Sequence, residues 1–196
     1  MVTLGITGGL GSGKSYACQR LKEKGAVIFD ADNIAKKILQ TVPEVQEKIA
    51  EVFGEAIIKD GVVDNQKLAN IAFSNEENQA ALNNIIHPFV IEEFEKKRES
   101  LQNREGLLVI DAPLIFESGL DSHLDYTVLI YATYKLRISR AIRRGNLSRE
   151  QILRRMDLQM PEEEKRELAS FVIENNGSGD HLYEEIDKLY SKLVGG

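Results

Sequence analysis

The stretch Gly8-Gly9-Leu10-Gly11-Ser12-Gly13-Lys14-Ser15 has the spacing G-x-x-x-x-G-K-S, and each residue type in it answers a need of phosphate chemistry. Positions without side chains at Gly9, Gly11 and Gly13 let the backbone curl, so that successive N–H groups, that of Ser12 among them, point at phosphate oxygens. The start of the following helix adds its positive end. The Lys14 ammonium has the reach for β- and γ-phosphates, and the Ser15 hydroxyl suits the magnesium ion that accompanies them. An apolar run precedes the loop and a helix-forming run follows it, so the expected ligand is ATP with Mg2+. Tyr16, next along, is expected near the nucleotide, with packing into the core as its other reading.

Two further groups of residues bear on what happens to the phosphate. Seven of the eleven arginines fall between Arg137 and Arg155, with only Glu150 opposing them there, inside a chain of net charge −6. Arg137, Arg140 and Arg144 are spaced by three and four and are expected on one helix face, able to close over a transferring phosphoryl group. Asp30 and Asp32 follow an apolar strand and could orient and deprotonate an acceptor hydroxyl; capping a turn or a helix is their alternative. Asp111, after Leu107–Ile110, could hold magnesium through water or end a strand before Pro113. A GTPase would need an Asn-Lys-x-Asp guanine reader after a strand, and Ala132-Thr133-Tyr134-Lys135 does not supply it. A small-molecule kinase fits better than a nucleotide switch.

The elements that must position these groups alternate between strand and helix. Val2–Ile6, Ala26–Phe29, Leu107–Ile110, Thr127–Tyr131 and Phe171–Ile173 are short continuous apolar runs, as in buried parallel strands. Helices are predicted over Ser15–Lys24, from Asp32, from Pro43 to a stop at Gly54, after a Ser74 cap, over Lys135–Arg144, after a Ser148/Gln151 capping box, after Pro161, and through Leu182, Ile186, Leu189 and Leu193. Asp60-Gly61 predicts a hairpin turn, and His87-Pro88 is expected to interrupt a helix. The fold expected is α/β, a five-stranded parallel sheet flanked by helices with right-handed crossovers. Residues 1–40, 105–134 and 159–196 would form the nucleotide-binding core, 41–104 a helical insertion and 135–158 an arginine-rich lid.

The chain has 196 residues, enough to bury a core without disulfides. Its one cysteine, Cys18, has no partner within the chain, which suits a reducing compartment. No run approaches the roughly 18 apolar residues of a membrane span. The acidic balance argues against a general nucleic-acid binder. A cytoplasmic enzyme with no membrane or nucleic-acid partner is the expectation.

The order of motifs resembles the dephospho-coenzyme A kinase family over nearly the full length. Thr7–Ser15 resembles its phosphate loop, Phe29-Asp30-Ala31-Asp32 its Asp-Ala-Asp motif, and Ile86-His87-Pro88 its Leu-His-Pro motif. Pro113-Leu114-Ile115-Phe116-Glu117 is similar to its Pro-Leu-Leu-Phe-Glu segment, Arg140, Arg144 and Gln159 fall at lid positions, and Val172–Gly177 is similar to its closing loop. The resemblance implies a nucleoside-monophosphate-kinase-like fold and transfer of the γ-phosphate of ATP to the 3′-hydroxyl of the ribose of dephospho-coenzyme A. It implies Asp32 as general base, and Lys14, Arg140 and Arg144 on the moving phosphoryl group. It implies His87, Pro113, Leu114 and Glu117 in the acceptor site, and Asn175 beside the adenine. Tyr16 stands where the family usually has threonine, and Ser170 where it often has aspartate. A kinase of a nucleotide, sugar acid or shikimate-like acceptor is the alternative.

Overall fold

The computed structural model describes residues 1–195. In chain order the elements are β1 (Val2–Thr7), α1 (Lys14–Glu23), β2 (Val27–Asp30), α2 (Ala31–Thr41), α3 (Pro43–Phe53), β3 (Ile58–Lys59), β4 (Val62–Val63), α4 (Asn65–Ala72) and α5 (Glu76–Ser100). They continue with β5 (Leu107–Asp111), β6 (Tyr126–Tyr131), α6 (Tyr134–Arg144), α7 (Arg149–Asp157), α8 (Glu162–Leu168), β7 (Phe171–Glu174) and α9 (Gly179–Val194). Two compact units result, Met1–Asp30 joined with Arg98–Gly196, and Ala31–Lys97.

The first unit is built on a parallel sheet in the order β2-β5-β1-β6-β7. Leu107 to Ile110 are all buried, which is why β5 reads as an unbroken apolar run rather than an alternating one. On one face, Leu4, Ile6, Val109, Val128 and Ile130 meet Ala17 and Leu21 of α1 and Leu182, Ile186 and Leu189 of α9. Each such aliphatic side chain removed from water contributes about 2 kcal/mol. The parallel register sets Asp30 beside Asp111, so both carboxylates stand at the carboxyl ends of their strands. That is the edge of an open α/β sheet where ligands bind. Thr127 and Ser170 open β6 and β7 with reciprocal bonds, each backbone N–H donating to the other's hydroxyl at 3.1 Å. Ser170 therefore makes its own closure where an aspartate was expected to matter.

The second unit follows the turn and cap chemistry of its sequence, with three corrections. Pro43 opens α3, and Gly54 ends it at φ 90°. Asp60 and Gly61 have φ of 53° and 80°, the left-handed pair a tight hairpin between β3 and β4 needs. Helix α4 was not anticipated; Asp64 caps it, accepting from the Gln66 and Lys67 N–H groups at 3.0 and 3.1 Å. Those donors hold the Asp64 carboxyl below its ordinary pKa. The cap of α5 is Asn75, which accepts from Asn78 N–H at 2.8 Å, whereas the Ser74 hydroxyl donates back to Ile71 C=O at 2.6 Å. Nor does Pro88 interrupt α5. It removes a single N–H, whose acceptor would be the carbonyl of Asn84, and both residues are exposed, where a lost helical bond costs least.

The boundaries of this unit, 31–97, differ from 41–104 because of two contacts. Gln40 of α2 donates to Val63 C=O at 2.9 Å, which ties α2 into the unit. Arg98, near the end of α5, donates to His123 C=O at 3.4 Å, which ties the last turn to the sheet-bearing unit.

Candidate active site

Between β1 and α1 the loop follows the path its glycines allow. Gly11 and Gly13 have φ of 84° and 101°, and a Cβ there would collide with the Arg137 carbonyl and the Asn175 amide respectively. Both strain and space therefore demand glycine. Gly13 is the N-cap of α1, which leaves the first N–H groups of that helix without helical partners, the arrangement that suits an anion. The Lys14 ammonium is ion-paired with the Asp111 carboxylate at the end of β5, both side chains mostly buried. Ser15 and Tyr16 are exposed on the first turn. Tyr16 is 62% exposed, so the core-packing reading of that ring fails: it stands on the solvent side of α1, away from Ala17 and Leu21.

The leading half of the loop rests on side chains from α6, α8 and the segment before α8. Gly9 N–H donates to Glu162 Oε1 at 3.0 Å, and Leu10 N–H to Gln159 Oε1 at 3.1 Å. Asn175 Nδ2 donates to Ser12 C=O at 2.8 Å, and Arg140 Nη1 reaches the same carbonyl at 3.5 Å. Asn175 is buried and its amide holds the loop backbone at Ser12. The arginine face also divides by depth. Arg137 is 6% exposed and its guanidinium lies 3.5 Å from Glu162, Arg140 is half-buried, and Arg144 is exposed. Of the three, only the last two keep solvent exposure.

The segment Pro113–Glu117 is tied down by a residue that sequence reading missed. Lys165 is wholly buried, and its Nζ lies 2.8 Å from Glu117 Oε1 and donates to Pro113 C=O at 2.8 Å. Pro113 C=O also accepts from the Thr7 hydroxyl at 3.1 Å, and Glu117 accepts from Met160 N–H at 2.9 Å. Glu117, expected as an acceptor ligand, is thus held by protein donors, while Leu114 beside it is half-buried. Asp32, in the first turn of α2 and exposed, and His87, half-buried on α5, belong to the Ala31–Lys97 unit. All the other expected site residues lie in the sheet-bearing unit. Buried Cys18, on α1, has its thiol pushed up to about 12 by desolvation, against the opposing charge of Lys14, and takes no nucleophilic role at neutral pH.

Comparison with known proteins places this geometry. A family model described as dephospho-CoA kinase matches residues 2–181. The dephospho-CoA kinase of Salinibacter ruber is 40% identical, with 100% of both chains covered. Among solved structures, TT1252 from Thermus thermophilus is 34% identical with a TM-score of 0.81, covering 99% of this chain and 98% of its own. A dephospho-CoA kinase from Campylobacter jejuni is 29% identical with a TM-score of 0.73, at the same coverage of 99% and 98%. A complete phosphate loop, a parallel sheet ending in paired carboxylates and 40% identity over the whole length lead to one assignment: the chain belongs to the dephospho-CoA kinase family.

Proposed function

We propose that this enzyme transfers the γ-phosphate of ATP, bound as its magnesium complex, to the 3′-hydroxyl of the ribose of dephospho-CoA, giving CoA and ADP. The observation that carries the reading is the complete phosphate loop, with Lys14 already positioned by Asp111, in a chain matched by one kinase family from residue 2 to 181. ATP as donor accords with a cytoplasmic location. Among the described residues no helix is long and apolar enough to cross a membrane.

Phosphoryl transfer asks mainly for placement and charge neutralisation. The N–H groups of Gly11 and of Gly13 to Ser15 receive the phosphates, since those of Gly9, Leu10 and Ser12 are taken by Glu162, Gln159 and the Gly9 carbonyl, and Lys14 exchanges Asp111 for their oxygens. Arg140, already at the loop through Ser12, and Arg144, exposed one turn on, neutralise the charge that develops on the γ-phosphoryl group. Asp32 accepts the proton of the ribose hydroxyl as that oxygen bonds to the γ-phosphorus; the bond to the bridging oxygen breaks, and ADP leaves with its electron pair. Support for Asp32 comes from its exposure and from its place two residues beyond Asp30, the register neighbour of Asp111. Family resemblance assigns acceptor binding to His87 and, in the sheet-bearing unit, to Pro113, Leu114 and a fixed Glu117. The Ala31–Lys97 unit binds the acceptor, and residues 135–158 act as a lid that excludes water.

The exposed Ser15 hydroxyl suits an ion that arrives on ATP, since magnesium is commonly held by substrate phosphates and one or two protein oxygens. Among the described residues no group of three or more His, Cys, Asp or Glu side chains gathers as a metal cage. Coupled ADP release across a panel of acceptors tests the reading. Turnover with dephospho-CoA is expected; turnover only with shikimate, gluconate or a nucleoside monophosphate would overturn it. Asp32→Asn is expected to bind ATP normally and lose about 100-fold in kcat.

A further inference from the structure

The two halves of the phosphate loop are held differently. The trailing half, Gly13 to Ser15, ends in an exposed helix start. The leading half is gripped from below: Gly9 N–H by Glu162, Leu10 N–H by Gln159, and the Leu10 side chain against the small cluster of Ala141, Ile152 and Met156. Glu162 is 8% exposed, and burial pushes its carboxyl pKa up, opposed by Arg137, by Lys165 and by the Gly9 N–H itself. A carboxylate in such a place needs a reason, because taking it from water is costly unless its partners compensate. Its Oε1 accepts from the loop and lies against Arg137, while Oε2 has no partner within the protein.

Helix α8 shows how Glu162 comes to be there. Glu162 and Lys165 are its buried residues, whereas Leu168 is 56% exposed, so this helix turns charge inward and an aliphatic side chain outward. Lys165, one turn after Glu162, fixes the helix to Pro113 C=O and Glu117. With α8 so fastened, the Glu162 carboxylate is delivered to the Gly9 N–H with little freedom to withdraw.

We propose that Glu162 is a positioning residue for phosphoryl transfer, acting through Gly9 to set the path of the loop before ATP arrives. It touches neither nucleotide nor acceptor. Its effect is preorganisation: a loop already curled loses less freedom on binding phosphate. The role rests on the kinase reading for its place in catalysis, but its nucleotide-binding part is independent of any acceptor.

The test compares two full-length variants of equal charge, Arg137→Met/Glu162→Gln and Arg137→Met/Glu162→Leu. The first keeps an oxygen for Gly9 N–H; the second does not. Titration with a fluorescent ATP analogue and magnesium is expected to give a Kd about tenfold weaker for the Leu variant than for the Gln variant, the cost of one buried N–H left unpaired. The kcat with dephospho-CoA should fall in the same ratio while KM for dephospho-CoA stays unchanged. Equal Kd and kcat in the two folded variants would overturn the proposal. If the wild-type chain does not phosphorylate dephospho-CoA, the function fails but the titration still decides on Glu162. Should the Leu variant not fold, hydrogen exchange at Gly9 in the wild-type protein decides instead. Protection kept when the nucleotide binds supports the role, and protection lost on binding overturns it.

Discussion

Lys14 with Asp111 and Lys165 with Glu117 are the same chemical pair at different depths. The Asp111 and Glu117 side chains keep similar exposure, 17% and 18%, but the Lys14 side chain keeps 15% at the mouth of the loop, whereas Lys165 keeps none. Water can solvate Lys14 as it leaves its carboxylate for a phosphate, so that pair is exchangeable. Lys165 has no such route, and with one carboxylate and one carbonyl around it the ammonium is a permanent fastener. Depth, rather than residue type, separates a lysine that acts from one that holds.

That contrast can be broken in order of size. Lys165→Met removes a buried donor from Pro113 C=O and the cation from Glu117, and is expected to lower unfolding stability by about 2 to 3 kcal/mol, read from urea denaturation, because the lysine end of the pair is the buried one. A loss below about 1 kcal/mol would place the pair in the exchangeable class. Lys14→Ala should do the reverse. Its kcat/KM is expected to drop by about 100- to 1,000-fold in the coupled assay, with a stability change within about 1 kcal/mol. Comparable damage to stability from both lysines would erase the distinction.

Asp111→Asn sharpens it further. If Asp111 also serves the magnesium shell through water, the metal concentration for half-maximal rate rises about tenfold. If it only parks Lys14, the metal dependence stays put and the nucleotide KM alone moves. The smallest effect reads Lys14 through its neighbour Cys18. With its pKa pushed up to about 12, that thiol exposes little thiolate at pH 8. Alkylation of the native protein, followed by mass, should be slower than for the unfolded chain by about 100-fold or more. Lys14 is the charge that favours the thiolate, so Lys14→Ala should slow the reaction again. Rapid alkylation of the native wild type would mean that α1 opens far more readily than its packing implies.

Much of this molecule was legible wherever one residue type meets one backbone requirement. The five apolar runs became the five strands, Gly54 ended its helix, Asp60-Gly61 made its turn, and Ser148 with Gln151 formed both bonds of a capping box. The loop from Gly8 to Ser15 was legible for the same reason. Depth was not. Glu162, Glu163, Glu164 and Lys165 are all charged, yet two turn inward, and residue type does not say which. Depth also decided against packing Tyr16 into the core and turned Arg137 inward from the arginine face. Asn175 was placed beside the adenine by family resemblance alone, and no sequence signal showed that its amide would donate to Ser12 C=O.

The strand order has a consequence for synthesis on the ribosome. β1 and β2 are made first but never pair with each other; β5 lies between them. Residues 31–106 must emerge before that central strand exists, so the first thirty residues, phosphate loop included, wait as a tethered, unpaired segment. The intervening unit, with its short hairpin and local helices, can fold during that wait. ATP therefore has no finished loop to bind on the nascent chain until β5 and, later still, Gln159, Glu162 and Asn175 have arrived. Slowing translation after that strand should favour correct closure more than slowing it before.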